Sequence, residues 1–274
     1  MIAVTGATGQ VGGRVATRLA GLGLPQRLVV RDASRAPSLE RAEVVEASGY
    51  HAREEMRRAF DGVQTVFLVS AAEAANRIEQ HATAIDAAAE AGVQRIVYTS
   101  FLAAAPDATF TFARDHYAAE EHLRASGLRF TSMRQSMYLD FLPEFAKPDG
   151  VIRGPAGDGR LAPVARDDVA DVAVAILTGE GHDGQVYDVT GRERLSMSEI
   201  AERLTQLTGS QVTYEDETLE QAYASRAGYG APEFEVAGWV TSYAAISTGE
   251  MDVVSDTVLK LAGHEPQTLA EYVG

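Results

Sequence analysis

The chain has 274 residues, no cysteine, and 39 acidic against 24 basic side chains, for a formal charge of −15. That length can bury a sizeable core, in one domain or one and a half. The charge argues against a nucleic-acid surface or an anionic membrane as partner, and the missing cysteines exclude disulfides, thiolate zinc sites and thiol nucleophiles.

Residues 1–12, MIAVTGATGQVG, read as strand, glycine turn and helix, with Val11, Val15, Leu19 and Leu22 recurring at helical spacing. In such a turn Gly6 lets the chain fold back, Gly9 lets the backbone approach a pyrophosphate, and Gly12 or Gly13 lets the helix pack against the strand. The helix N-terminus presents free N–H groups and a partial positive charge, so the chemistry implied is dinucleotide binding. A bare glycine trio also serves plain turns; here it follows a strand and opens an amphipathic helix. The second strand, 27–30, ends at Arg31, and the acid that would hold a ribose 2′-hydroxyl is displaced to Asp32. A guanidinium there suits a 2′-phosphate, with Arg35 as a second partner, which favours NADP(H) over NAD(H).

Residues 42–47 give a third strand, 53–60 a helix and 65–69 a fully apolar fourth strand. Ile78, Ala82, Ile85 and Ala89 share a helical face, and Gly92 stops that helix before a strand at 95–99. A helix over 112–125 then leads to a strand at 129–134. Continuous apolar strands separated by amphipathic helices predict an α/β fold of the Rossmann type, a doubly wound parallel sheet with right-handed crossovers. Ligands in that architecture sit beyond the carboxyl ends of the strands, which marks Gly6, Arg31, Ser70 and Ser100. Serines also stand at strand ends as ordinary turn and cap residues.

After residue 134 the texture changes. Residues 135–145 are aromatic and Met-rich, and 147–150 and 154–159 bring dense turn signals. The expected division is a dinucleotide-binding domain over 1–134 and a smaller, mostly helical C-terminal lobe over 135–274, partly interleaved with the sheet through 184–190. Asp167 and Asp168 fall in the first turn of a helix over 167–177, where the helix dipole accounts for paired acids. A strand follows at 185–190, and Ser196 and Glu199 stand at capping-box spacing before a helix to about Leu207. Trp239 and Tyr243 belong to a mostly helical remainder. No His, Asp and Glu cluster has metal-ligand spacing, so no metal is expected. No run approaches the roughly 20 apolar residues of a membrane span, no basic and apolar leader opens the chain, and the cytoplasm is the expected compartment.

The run VTGATGQVG at 4–12, Val30-Arg31, Gln80-His81, Tyr98-Thr99-Ser100, Arg134-Gln135-Ser136-Met137-Tyr138 and Gly181-His182-Asp183-Gly184 resemble the atypical short-chain dehydrogenases of the NmrA-like group. Within it, the chain is most similar to the quinone oxidoreductase 2 and triphenylmethane reductase branch. The similarity runs nearly end to end, through the stretch AISTGE at 245–250. It implies NADPH held by Gly6, Thr8, Gly9, Gln10, Val11 and Arg31, with Tyr50 beside the adenine and Gln135, Met137 and Tyr138 toward the nicotinamide; Ser70 joins the expected cofactor set from its place at a strand end. Where the resembling enzymes carry Asp-Tyr beside the adenine, this chain has Gly49-Tyr50.

Ordinary short-chain dehydrogenases pair a proton-donating Tyr with a Lys four residues on. Here those positions fall on Phe112 and His116. Phe112 has no proton to give, and Tyr117 is rotated about 100° around the helix from His116. The acceptor implied is one that takes hydride without a matched tyrosine acid, such as a quinone or a cationic dye. His116 is the candidate for a ribose hydrogen bond or an acid near neutral pH, oriented by Glu120 one turn on; the same spacing fits a solvated His–Glu pair. His81 reads as structural and Met137 as packing, while Gln135 and Tyr138 are acceptor-side candidates, Tyr138 by stacking or hydrogen bonding. Two function classes follow: an NADPH-dependent reductase of a small quinone-like or aromatic molecule, monomeric or homodimeric, and a catalytically silent NADP(H)-binding redox sensor. An apolar pocket around Phe101, Tyr138 and Phe141 would mark the first, and a flat exposed apolar surface the second.

Overall fold

The computed structural model describes residues 1–146 and 149–274. Lys147 and Pro148, half of the turn expected at 147–150, lie outside the described residues. The first elements alternate: β1 (Ile2–Thr5), α1 (Gln10–Gly21), β2 (Gln26–Val30), β3 (Ala42–Glu46), α2 (Arg53–Ala59), β4 (Thr65–Leu68), α3 (Arg77–Glu90), β5 (Arg95–Phe101), α4 (Thr111–Ala125) and β6 (Arg129–Gln135). There follow α5 (Leu142–Phe145), β7 (Val151–Gly154), β8 (Arg160–Leu161), α6 (Arg166–Thr178), β9 (Val186–Val189), β10 (Leu195–Ser196) and α7 (Met197–Thr208). The last are β11 (Thr213–Asp216), α8 (Leu219–Arg226), α9 (Glu233–Ser247), α10 (Thr257–Ala262) and α11 (Leu269–Val273).

Seven strands form one sheet in the order β3-β2-β1-β4-β5-β6-β9, and the pairs from β3 through β5 are all parallel. The fold is the Rossmann-type α/β sheet expected from the strand and helix alternation. Its order reverses at β1, which has β2 on one side and β4 on the other, and that reversal opens a crevice at the carboxyl ends of the strands.

By the density of its contacts the chain divides into two compact units. The first comprises Met1–Ser100, Asp115–Arg134 and Val169–Tyr187; the second comprises Phe101–Arg114, Gln135–Asp168 and Asp188–Gly274. The first is built on Ala3, Phe60, Val66, Leu68, Ile85, Ile96 and Tyr98, and the second on Leu102, Met137, Leu142, Ile152, Met197, Leu204 and Ile246. Among the described residues no helix is long and apolar enough to cross a membrane.

The capping box forms as its spacing predicts: Ser196 accepts from the Glu199 N–H at 3.2 Å while the Glu199 carboxylate accepts from the Ser196 N–H at 2.9 Å. Two expected faces are corrected. Leu22 is exposed, because α1 ends at Gly21 and the chain turns there. Ile78 is exposed too, because α3 buries Arg77, His81, Ala84, Ile85 and Ala88. A stripe that starts with two polar side chains is invisible to apolar periodicity. The pairs β8 with β10 and β7 with β11 were also not expected; their strands are only two or four residues long and carry too little alternation to register.

Candidate functional site

β1 delivers the chain to Gly6, which takes φ 60°, a left-handed conformation that favours glycine. The Gly9 N–H donates to the Gly6 carbonyl at 2.8 Å, closing a tight turn directly onto α1. A Cβ on Gly12 would stand 2.4 Å from that same carbonyl oxygen, so only glycine lets the helix come this close to the strand end. Among the described residues no side chain caps α1. Its first N–H groups and positive dipole end therefore face the turn without a built-in acceptor.

A cleft of about 270 Å³ opens here, lined by Gly6, Thr8 and Gly9 after β1, Arg31 after β2, Ser48, Gly49, Tyr50 and His51 after β3, Ser70, Ala71 and Ala72 after β4, and Gln80. Beside it lies a shallower groove of about 390 Å³ bounded by Thr8, Gly9, Gln10, Arg14 and Arg35. Gln10 thus faces the groove, and the side chain of Val11 is buried under α1. Asp32 turns its carboxylate onto its own 3-10 turn, accepting from the Ser34 N–H at 2.9 Å and the Ser34 hydroxyl at 2.6 Å; these bonds hold its pKa below the ordinary value. The Tyr50 hydroxyl donates to the Val69 carbonyl at 2.6 Å and stands 2.6 Å from Thr5 Oγ1, and burial pushes the phenol pKa up.

The β4 wall of the cleft is held from behind. The Ala71 N–H donates to His81 Nε2 at 2.8 Å, the Arg77 guanidinium donates to the Ala71 carbonyl at 2.9 Å, and the Ser70 N–H donates to Thr99 Oγ1 at 2.7 Å. One turn of α3 thus clamps both polar groups of one residue. Arg77 also donates to His116 Nε2 at 3.1 Å, and Tyr98 Oη lies 2.9 Å from His116 Nδ1 and 3.5 Å from His81 Nδ1. Arginine has only donors, as does a backbone N–H, so both Nε2 atoms accept and both neutral rings carry their proton on Nδ1, toward the tyrosine oxygen. Burial and the Arg77 charge push His81 down to about 3, and hold His116 well below the ordinary histidine range.

The expected His116–Glu120 pair is corrected. Glu120 instead accepts from the Ser100 hydroxyl at 2.7 Å and from Arg134 at 2.6 and 2.9 Å, so it neither orients nor charges the imidazole. Ser100 is wholly buried with it. Burial and the Arg77 charge both disfavour the imidazolium, which works against an acid role for His116 near neutral pH.

In the second unit, Gln135 is buried, and among the described residues its amide oxygen meets no donor. Tyr138 lies under the Arg166 guanidinium, 4.6 Å from its ring centroid, and Arg166 is paired with Asp140 at 2.8 Å. Burial pushes the Tyr138 phenol pKa up. Phe101, Phe110 and Phe112 form an edge-to-face series with centroids 5.0 and 5.7 Å apart. Among the described residues no group of three or more His, Asp or Glu side chains could hold a metal.

Residues 6–180 match the NAD(P)H-binding family. The chain belongs to that family. It is 34% identical to quinone oxidoreductase 2 of Escherichia coli over all of this chain and 97% of the relative, and 33% identical to the NAD(P)H azoreductase of Xenophilus azovorans over 99% and 96%. The crystal structure of the Escherichia coli enzyme complexed with NADPH superposes with a TM-score of 0.90, covering 100% of this chain and 98% of that one. That of the Citrobacter sp. triphenylmethane reductase complexed with NADP(H) gives 0.87 at 31% identity, covering 100% and 99%.

As a member of the NAD(P)H-binding family, the chain builds its cleft where the glycine motif and Arg31 lead. Arg77, Tyr98 and the Ala71 peptide were not foreseen. The one available signal was the i, i+4 spacing of Arg77 and His81, which puts both on one helical face.

Proposed function

We propose that this protein is an NADPH-dependent reductase of a small quinone-like or aromatic acceptor. The observation that carries the reading is Arg31 lining the cleft while Asp32 is folded onto its own turn. That leaves a guanidinium where the second strand ends and no carboxylate to meet a ribose 2′-hydroxyl, an arrangement suited to a 2′-phosphate. Quinone oxidoreductase 2 and the azoreductase, alike over nearly the whole chain, support the reaction class.

The residues fit the nucleotide. The uncapped N-terminus of α1, with the backbone of Gly6, Thr8, Gly9, Gln10 and Val11, would hold the pyrophosphate; Arg31, with Arg35 from the neighbouring groove, the 2′-phosphate; Tyr50 and Ser70 the cleft walls. NADPH, when bound, supplies the hydride. Gln135 offers a buried amide oxygen to a donor on a ligand, and Tyr138 a ring edge to a flat acceptor. His116 contributes position rather than a proton. Without a tyrosine acid at Phe112, the chain's contribution to rate is orientation of two reactants, which restricts it to electrophilic acceptors.

Nicotinamide absorbance, followed with NADPH or NADH against a panel of quinones, azo compounds and triphenylmethane dyes, tests this. Saturable turnover with NADPH favoured over NADH is the expected result. Tight NADPH binding with no turnover on any acceptor would replace the reductase with a sensor, and absence of binding would remove the nucleotide site altogether.

A further inference from the structure

The chain leaves the sheet ladder after Leu68, which pairs with Tyr98, and the next three residues, Val69, Ser70 and Ala71, line the cleft of the first unit. Side chains rather than strands hold their peptide groups. The Val69 N–H donates to Thr5 Oγ1 at 2.9 Å, and the Val69 carbonyl accepts from the Tyr50 hydroxyl at 2.6 Å. The Ser70 N–H donates to Thr99 Oγ1 at 2.7 Å, the Ala71 N–H to His81 Nε2 at 2.8 Å, and the Ala71 carbonyl accepts from Arg77 at 2.9 Å. Among the described residues, the Ser70 carbonyl alone in this stretch meets no donor.

The direction of that carbonyl is fixed. Across a planar trans peptide a carbonyl and the following N–H point opposite ways, so the Ser70 carbonyl points away from His81, which is wholly buried in α3. The preceding peptide is pinned at both ends, by Tyr50 at its carbonyl and by Thr99 at its N–H. Side chains from β1, the turn after β3, β5 and α3 thus orient one bare acceptor at the cleft, ready for a donor on a ligand.

We propose that Thr99 and Tyr50 are positioning residues for the nucleotide: they hold the peptide between Val69 and Ser70 so that the Ser70 carbonyl accepts from a ribose hydroxyl. The role rests on the nucleotide reading of the cleft and on binding alone, so it needs no acceptor to be known.

Binding to the full chain is followed by the nicotinamide fluorescence of NADPH, and thermal midpoints are read without nucleotide. Thr99→Val, which keeps the shape and removes the acceptor, should raise Kd about tenfold and Tyr50→Phe about fivefold, while Thr99→Ser should stay within about twofold of the unsubstituted chain. Thr131→Val is the control: that buried hydroxyl donates to the His182 carbonyl at 2.7 Å and is no part of the cleft lining. It should lower the thermal midpoint and leave Kd within about twofold. The hypoxanthine analogue of NADPH, which lacks the adenine amino group, should lose as much affinity as NADPH in Thr99→Val. A loss confined to NADPH would give the donor to that amino group and overturn the ribose assignment. Unchanged Kd in Thr99→Val and Tyr50→Phe, or an equal rise in Thr131→Val, overturns the positioning role. An unsubstituted chain that binds no NADPH would remove the nucleotide reading, and this inference with it.

Discussion

The Arg77 guanidinium donates to His116 Nε2 across 3.1 Å in the interior of the first unit, and that bond decides what His116 can do. A nitrogen already accepting from a cation gains nothing from a proton, and Tyr98 and His81 also face the ring. Through Arg77, which also donates to the Ala71 carbonyl, His116 is linked to the support of the cleft wall.

Stability should therefore depend on pH through two buried imidazoles. In the folded chain both pKa values lie below the unfolded value of 6.5, that of His81 at about 3. The unfolded state then binds more protons between those values, so the stabilisation from neutral rings is complete above pH 6.5 and is lost as pH falls from 6.5 toward 3. Denaturant midpoints measured from about pH 7.5 down to about pH 5 should fall steadily, and His81→Gln should flatten the slope. A midpoint independent of pH across that interval would mean the rings are not buried neutral.

The Ala71 clamp makes a separate prediction. His81→Leu leaves the Ala71 N–H without its acceptor, which costs about 1–3 kcal/mol where the group stays buried. The loosened wall is part of the cleft, so KM for NADPH should rise about five- to tenfold while kcat changes less than twofold. His81→Gln, which can still accept, should recover most of the affinity. Equal effects of both substitutions on KM and kcat would reduce the clamp to general stability.

Arg31 tests the nucleotide preference. Losing a charge-assisted bidentate contact of about 1.5–3 kcal/mol should raise KM for NADPH about tenfold or more in Arg31→Ala and leave that for NADH nearly unchanged. If both cofactors weaken equally, Arg31 meets a phosphate they share.

How far these features could be read from residues alone depends on whether the cause is local. Gly6 and Gly12 were legible because a left-handed turn favours glycine and a 2.4 Å approach admits no Cβ. The sheet was legible because β1, β4 and β5 are apolar enough to be buried on both faces. α3 was misread because its buried face opens with Arg77 and His81, and what makes them interior residues is a peptide at Ala71 and a ring at His116, neither adjacent in sequence. A cavity at Trp239 and Tyr243 was missed for the same reason, since α5, β7, α8 and α9 converge on it from separate stretches.

Phe112 is a packing residue of the second unit. Its ring packs against the backbone of α9, where a Cβ on Gly238 would come within 2.3 Å of the ring. Phe110 and Phe234 meet it edge-on at 5.7 and 6.5 Å. The side chain is 6% exposed, so it fills space inside the second unit. Gly238→Ala should overpack this contact and destabilise the chain by about 1–3 kcal/mol, seen as a lower thermal midpoint. Phe112→Leu should cost about 1 kcal/mol alone by leaving a void. Combined with Gly238→Ala it should cost less than the sum, because the added methyl enters the space the ring vacates. Strict additivity in that double-mutant cycle would show that the two residues are not in contact.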